Sequence, residues 1–408
     1  MRILIYGINY APELTGIGKY TAELVEWLAG RGHEIRVVTA PPYYPSWKIG
    51  EGYSSFKYKI EKSGTSTVFR CPLWVPHQPS GFKRIIHLLS FAISSFPVIF
   101  SNIFWRPDVI LTIEPPLFTA PAALLVSLLC KAKAWLHIQD FEIDAAFDLG
   151  IIPAGLRKGV VFFEKLLMGR FSRVSTISEK MLERLERKGV PLKKAVLFPN
   201  WVDTQVIFPA DGPNPMRREL GISDEAYVAL YSGNMGEKQG LEIIIDAASR
   251  LENMENLTFV LCGTGSAYSR LKDKAADLTN IFWVPLQPME KLNSLLNLAD
   301  IHLLPQRADA TDLVMPSKLT GMMASGRPVL ATAFEGTQIA RSLESSGKTV
   351  APGDAAAFAS ALEELAHDSG LRQRLGDEAR RYAVEHWDKE NVLKRFEKSL
   401  KDLLHRVD

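Results

Sequence analysis

The sequence predicts an α/β protein of two consecutive doubly wound halves, each a parallel sheet flanked by helices. Three observations carry this. The chain has 408 residues, beyond the roughly 250–300 over which a single core usually grows. Short β-branched runs alternate with amphipathic stretches in two successive series, the pattern of βαβ units. Between the series lies a linker near residues 200–213, where "FPADGPNPM" supplies proline, glycine and asparagine.

The first series opens with "RILIYGI" (2–8), an apolar run bounded by turn residues. "GKYTAELVEWLAGRGH" follows, with Tyr20, Leu24, Val25, Trp27 and Leu28 at helical spacing, and then the strand-like "EIRVVTA" (34–40). The rhythm returns at "DVILTIEPP" (108–116), "AWLHIQD" (134–140) and "RVSTISEKMLERLERKG" (173–189). After "VLFPNWVD" (196–203) the second series begins. Its strands are read at "YVALYSGNMG" (227–236), "LTFVLCGTG" (257–265), "NIFWVPL" (280–286), "ADIHLLPQ" (299–306) and "RPVLAT" (327–332). "GLEIIIDAASRLE" (240–252) is the first helix of this half. The tail is helical in pattern, with a break expected near Trp387–Asp388.

Forty-eight basic against 46 acidic side chains leave a formal charge of +2, so no bulk field argues for nucleic acid. The three cysteines, Cys71, Cys130 and Cys262, match no metal spacing and suit a reducing, cytoplasmic compartment. "MRILIYGINYAPE" has no long apolar h-region, so a signal peptide is not expected. The apolar stretches 85–104 and 118–136 are interrupted, the first by Pro97 and four serines, the second by Pro121 and two lysines. A spanning helix is therefore not expected. "SGFKRIIHLLSFAISSFPVIFSNIFWR" mixes Lys83, Arg84 and Arg106 with large apolar residues. It reads either as an interfacial helix at a membrane surface or as a helix buried against the first sheet.

Several stretches place glycines where a strand hands over to a helix, where unpaired amides favour an anion. Gly16 and Gly18 do so in "PELTGIGKYTAEL". The dinucleotide spacing fails there, because Thr21 stands at the third glycine position. "YSGNMGEKQGLEIIIDAA" (231–248) adds Gly233, Asn234 and Lys238, and "CGTGSAYSRL" (262–271) adds Gly263 and Gly265. "MPSKLTGMMASGRPVLAT" (315–332) brings Pro316, Ser317 and Lys318 to the start of a helix. Three such devices at strand ends of one half imply a bound nucleotide. Lys238 reads as a cation for a leaving phosphate, or as an ordinary surface lysine. In "WLHIQDFEID", His137 and Asp140 end a first-half strand; His137 is either a site residue or a packed core histidine. Glu142 and Asp144 lack the setting of a metal motif, and no metal is expected.

Together these stretches resemble family 4 of the retaining glycosyltransferases. The resemblance implies the GT-B fold: two facing Rossmann-like domains, residues 1–203 and 204–387, with a final helix from 388–408 crossing back to the first. "YAPELTGIGKYTAELVEWLAGRGHEIRVVTA", "FPNWVDTQVIFP", "ADIHLLPQ", "ASGRPVLAT" and "EHWDKENVLKRFEKSL" carry it. Within the family, "GINYAPELTGIGKYT", "PPYYPSW", "HIQDFEIDAAFDLG" and "PNWVD" are similar to fucose-transferring enzymes of exopolysaccharide (colanic acid type) assembly. That likeness implies a GDP-fucose donor, no metal or other cofactor, and a polyprenyl-diphosphate-linked saccharide acceptor. It also implies peripheral attachment at the inner face of the plasma membrane.

Position by position, the family's basic pair falls at Asn234 and Lys238, and its two glutamates at Leu313 and Gly321, with Asp312 one place out of register. Lys318, Ser317 and Arg307 are left as the nearby polar groups. The family's histidine aligns nearer Gln139 than His137. On this reading Lys238, the amides near Gly233 and Gly265 and the helix start after Pro316 stabilise the departing diphosphate, while His137 or Asp140 steadies the sugar. A GT-B-fold sugar-nucleotide epimerase and a non-catalytic scaffold of a polysaccharide-assembly complex are the competing readings.

Overall fold

The computed structural model describes residues 1–405 apart from 14, 79, 149, 151–152 and 309–315, and apart from the side chains of 145, 148 and 154. Two compact units emerge, one of Met1–Pro199 with Leu393–Asp408, the other of Asn200–Val392.

The first unit runs β1 (Arg2–Tyr6), α1 (Gly16–Gly30), β2 (Glu34–Thr39), β3 (Lys59–Ser63), β4 (Ser66–Arg70), α2 (Gly81–Ser101) and β5 (Val109–Glu114). It continues through α3 (Ala120–Cys130), β6 (Lys133–Ile138), α4 (Glu142–Asp148), α5 (Arg157–Arg170), β7 (Arg173–Thr176), α6 (Glu179–Arg187) and β8 (Ala195–Leu197). Its sheet has the order β3-β4-β2-β1-β5-β6-β7-β8. All pairings are parallel except β3 with β4, an edge hairpin that the periodicity of the sequence did not reveal. Helices cover both faces of such a sheet, so its strands read as continuous apolar runs; β5, "VILTIE", is buried throughout.

The second unit runs α7 (Pro215–Leu220), β9 (Tyr227–Ser232), α8 (Glu242–Arg250), β10 (Leu257–Cys262), α9 (Tyr268–Lys274), β11 (Ile281–Val284), α10 (Leu292–Leu296) and β12 (Ile301–Leu304). Then come α11 (Lys318–Ala324), β13 (Val329–Thr332), α12 (Gln338–Leu343), β14 (Gly347–Val350), α13 (Ala355–His367) and α14 (Ser369–Trp387). The all-parallel order is β11-β10-β9-β12-β13-β14. The last helix, α15 (Lys389–His405), begins after the break expected at Trp387–Asp388.

The boundary falls at Asn200 instead of 204, for a backbone reason. Val202 N–H donates to the Trp387 carbonyl and Lys389 N–H to the Val202 carbonyl, both at 2.9 Å. The Thr204 hydroxyl donates to Asp388 at 2.5 Å. This clip joins the "PNWVD" segment to the α14–α15 junction. Beyond Val392, α15 belongs to the first unit. There Phe396 stacks on Phe198 with centroids 4.1 Å apart and meets Trp135 edge-on at 5.0 Å. Next to it the Glu397 carboxylate accepts from His33 at 2.9 Å and Arg31 at 3.1 Å. Burial opposes the charge on Glu397, but hydrogen bonds from Lys401, His33 and Arg31 hold the carboxyl down at about 2.

Phe396→Ala removes both aromatic contacts and should cost the first unit about 3–5 kcal/mol. Urea unfolding followed by tryptophan fluorescence would read the loss as a lower midpoint for the transition that includes Trp135.

Candidate active site

Doubly wound sheets bind ligands outside the carboxyl ends of their strands, where the strand order reverses. In the second sheet that point lies between β9 and β12. Gly233 follows β9, and Arg307 lies three residues beyond β12. The loop after β9 is built against the loop after β10, backbone to backbone. Gly233 N–H donates to the Cys262 carbonyl, Met235 N–H to Thr264 and Ala267 N–H to Met235, each at 2.9 Å. Gly233 has φ +138° and Gly263 φ +144°, values that suit glycine alone. A Cβ on Gly263 would collide with the Gly233 carbonyl oxygen, and one on Gly265 with that of Met235. These glycines thus fit the two loops together, whatever ligand the loops hold.

Lys318, the first residue of α11, is the basic side chain pressed against this loop. Its ammonium lies 4.1 Å from the centroid of the Tyr231 ring. Its Nζ would sit 3.8 Å from a Cβ placed on Gly233. The ring is fixed in turn, because the Tyr231 hydroxyl donates to the Asn234 carbonyl at 2.6 Å. Burial lowers the Lys318 pKa to about 7. Among the described residues its ammonium has no hydrogen bond and no ion pair. A cation over an aromatic face is attracted by the ring quadrupole, yet that contact supplies no counter-charge.

Lys238 sits in a tight helical turn, Glu237–Gln239, with its side chain exposed. Its carbonyl accepts from Arg307 N–H at 3.3 Å, which ties the end of β12 to this loop. Asn234 and Ser317 are exposed and Pro316 is half-buried; the Ser317 carbonyl accepts from Thr320 at 2.8 Å. Gly233, Asn234, Gly263, Gly265 and Lys318 are therefore drawn into one cluster, with Arg307 and Lys238 tied to each other beside Gly240. Gly321 lies inside α11, and a Cβ there would meet only Leu296, at 3.4 Å, so packing does not forbid a side chain. Asp312 and Leu313 lie outside the described residues.

In the first sheet the order reverses between β1 and β5. Gly16 and Gly18 follow β1, but a protein carboxylate already lies against this turn. A Cβ on Gly18 would stand 2.6 Å from Glu13 Oε2. Glu13 accepts from Asn9 at 2.9 Å and from the amides of Tyr43 and Tyr44 at 3.1 and 3.0 Å. The turn is thus fastened to the "PPYYPSW" loop by a carboxyl group of the chain itself, whose pKa burial raises against these hydrogen bonds.

His137 turns out as the packed histidine of the two readings. It is buried, with Nδ1 2.9 Å from the Ser175 hydroxyl and Nε2 3.0 Å from the Gln139 amide. Its ring lies 4.8 Å from that of Phe198. Burial drives its pKa down to about 3, so it stays neutral. Both ring nitrogens are engaged within the unit. Alternation along β6 turns His137 to the same face as Trp135, toward α15.

Asp140 follows β6 near two acids, Glu114 at the end of β5 and Glu142 at the start of α4. Glu114 is fully buried, and neither of its oxygens has a hydrogen-bond partner among the described residues. Burial, with Glu142 nearby, raises its pKa well above the usual carboxylate range. Burial also lifts Glu142 to about 7, against the Leu117 N–H that it accepts at 3.0 Å. Sequence reading passed over Glu114, although an acid at the end of "VILTIE" is itself a signal. Asp144 pairs with Arg184 at 2.8 Å and Lys188 at 2.9 Å, a structural role. No group of three potential metal ligands occurs among the described residues.

The comparisons with known proteins agree with this architecture. Residues 15–201 match the glycosyl transferase 4-like domain and residues 214–382 match glycosyl transferases group 1. A protein of Escherichia coli (strain K12), WcaI, whose name assigns it to colanic acid biosynthesis as a glycosyl transferase, is 45% identical over 97% of this chain and 98% of its own. Among solved structures, sucrose-phosphate synthase from Thermosynechococcus elongatus superimposes with a TM-score of 0.76 at 16% identity, over 99% of both chains. Anabaena HepE in complex with UDP-glucose gives 0.69 at 15%, over 98% of this chain and all of that one. With two family models along its length and a near full-length relative, the chain belongs to family 4 of the glycosyltransferases, on the GT-B fold.

Proposed function

We propose that this glycosyltransferase moves fucose from GDP-fucose to a lipid-diphosphate-linked saccharide in exopolysaccharide assembly of the colanic acid type, with retention and without a metal. The observation that carries the reading is the pair of braced glycine loops at the switch point of the second sheet, with a lysine beneath them. The extended likeness to WcaI supports the pathway, and the HepE complex supports a nucleotide-diphosphate sugar as the donor class.

The chemistry follows from the cluster. The bond between the sugar C1 and the diphosphate oxygen breaks, and the electron pair leaves with the diphosphate. Loop amides near Gly233 and Gly265, together with Lys238 and Lys318, meet that growing negative charge. The acceptor hydroxyl oxygen bonds to C1 from the face that the diphosphate vacates, and its proton passes to the departing phosphate. Asp140 is the first-unit residue assigned to the sugar.

Attachment to the membrane is supported by α2. Phe82, Ile86, Leu89, Ile93, Phe96 and Phe100 recur at helical spacing on its outer face, with Phe82 71% and Ile93 72% exposed. The opposite face, His87, Phe91, Ser95 and Ile99, is built into the unit. The helix is long and apolar enough to cross a membrane, but that inner face is occupied. Exposed Leu125, Leu128 and Leu129 of α3 extend the apolar surface, and Lys83 and Arg84 lie in the first turn of α2. A long apolar face with basic residues at one end suits the surface of an anionic bilayer.

Three experiments test this. Fucose transfer from GDP-fucose to a polyprenyl-diphosphate glucose acceptor should be detected by mass spectrometry, and NMR should show the donor's anomeric configuration kept. Lys238→Ala should cut turnover by about 10–100-fold, the worth of a charged hydrogen bond, with an unchanged circular dichroism spectrum. Turnover within twofold of the parent would take Lys238 out of the mechanism. Separately, the protein should float with phosphatidylglycerol vesicles, and Ile93→Asp should leave it at the bottom of the gradient. Equal flotation of the two would exclude α2 as the contact.

A further inference from the structure

We infer that Lys318 is the charge that neutralises the donor's diphosphate, and that it takes up a proton as the nucleotide binds. This rests on the reading that the loops after β9 and β10 hold a nucleotide diphosphate.

Four observations converge on Lys318. It stands at the switch point of the second sheet, where a ligand is expected. Its ammonium is held on the Tyr231 ring beside Gly233. No carboxylate among the described residues answers its charge. The residue is not an exposed lysine that solvent could satisfy, since it is partly buried and α11 continues from it into the core with Leu319, Met322 and Met323. Desolvation without a partner disfavours the charged form, and its pKa is accordingly lowered to about 7.

The ionisable groups on the surrounding elements do not change this balance. On β9, Tyr231 is a phenol that burial keeps protonated. Arg307, beyond β12, and Lys238, in the adjoining turn, are cations and would only depress it further. Neither α10 nor α11 beyond Lys318 carries an ionisable side chain. On α14, which packs along α11, Arg380 binds the carbonyls of Ile207, Thr204 and Ala324. Among the described residues no anion supplies the missing partner. A diphosphate arriving beside Gly233 restores the charged form, raises the pKa of the lysine and draws in a proton.

The sign follows directly. Below about pH 7 the lysine is already charged and binding needs no proton. Above it, most molecules must be protonated on binding, so affinity falls roughly tenfold per pH unit until the bound-state pKa is reached. The terminal phosphate of a nucleotide titrates near pH 6, clear of this window.

Calorimetric titrations of GDP and UDP at pH 8, repeated in buffers of different ionisation enthalpy, test the inference. The parent should take up about 0.9 proton per nucleotide bound. Lys318→Met should bind about 10–100-fold more weakly with the uptake abolished. It should melt at the same temperature or higher, because a buried charge is lost. Lys318→Arg should bind with an affinity that no longer falls between pH 7.5 and 9. Lys238→Met should weaken binding and leave the proton count intact. Nucleotide binding by the parent without proton uptake, or undiminished binding by Lys318→Met, would overturn the role of Lys318 while leaving the donor reading in place. If neither nucleotide binds the parent, the donor reading fails and this inference with it.

Discussion

The candidate site depends on a contact between two pieces of backbone. The carbonyl of Gly233 fills the space where any side chain at Gly263 would begin, and the carbonyl of Met235 does the same at Gly265. Hydrogen bonds from Gly233, Met235 and Ala267 then make the two loops one block. Tyr231 is tied to that block through the Asn234 carbonyl, and Lys318 is laid on Tyr231. The placement of the lysine is thus inherited from glycine packing two layers away. A glycine-rich loop is often explained by its ligand alone; here the chain has its own reason for every one of these residues.

Burial acts on both units with opposite results. At the switch point of the first sheet it acts on acids, raising Glu114 and Glu142 toward their neutral forms. At the second it acts on a base, lowering Lys318. The physics is the same, the cost of charge in a poorly polarisable setting. The consequence differs, because an anionic ligand relieves the second and would aggravate the first. The turn at Gly16–Gly18 fits this division, since Glu13 already lies against it.

Two helices of the first unit show the hydrophobic effect used in two ways. Helix α15 buries Phe396 against Phe198 and Trp135, closing the core with the last residues of the chain. Helix α2 buries one apolar face and leaves another uncovered. Helices apolar all round are usually fully buried. The uncovered stripe, recurring at helical spacing from Phe82 to Phe100, is larger than the scattered apolar residues of an ordinary surface.

The sequence by itself determined the architecture. Period-two and helical patterns are local properties, so "RILIYGI", "YVALYSG" and their successors announced parallel strands, and the break at Trp387–Asp388 was legible. The β3–β4 hairpin was not, because its exposed, charged strand carries no apolar run. The family was likewise legible in "PNWVD" and "ASGRPVLAT". Which polar residue faces what was decided only by the tertiary structure. His137 and Gln139 lie two residues apart and are hydrogen-bonded to each other, and only the packing around them shows that both ring nitrogens of the histidine are engaged within the unit. Lys238 and Lys318 are 80 positions apart, and nothing local ranks one above the other. Burial arises from contacts distant along the chain. It makes Lys318 the enclosed cation and leaves Lys238 at the surface.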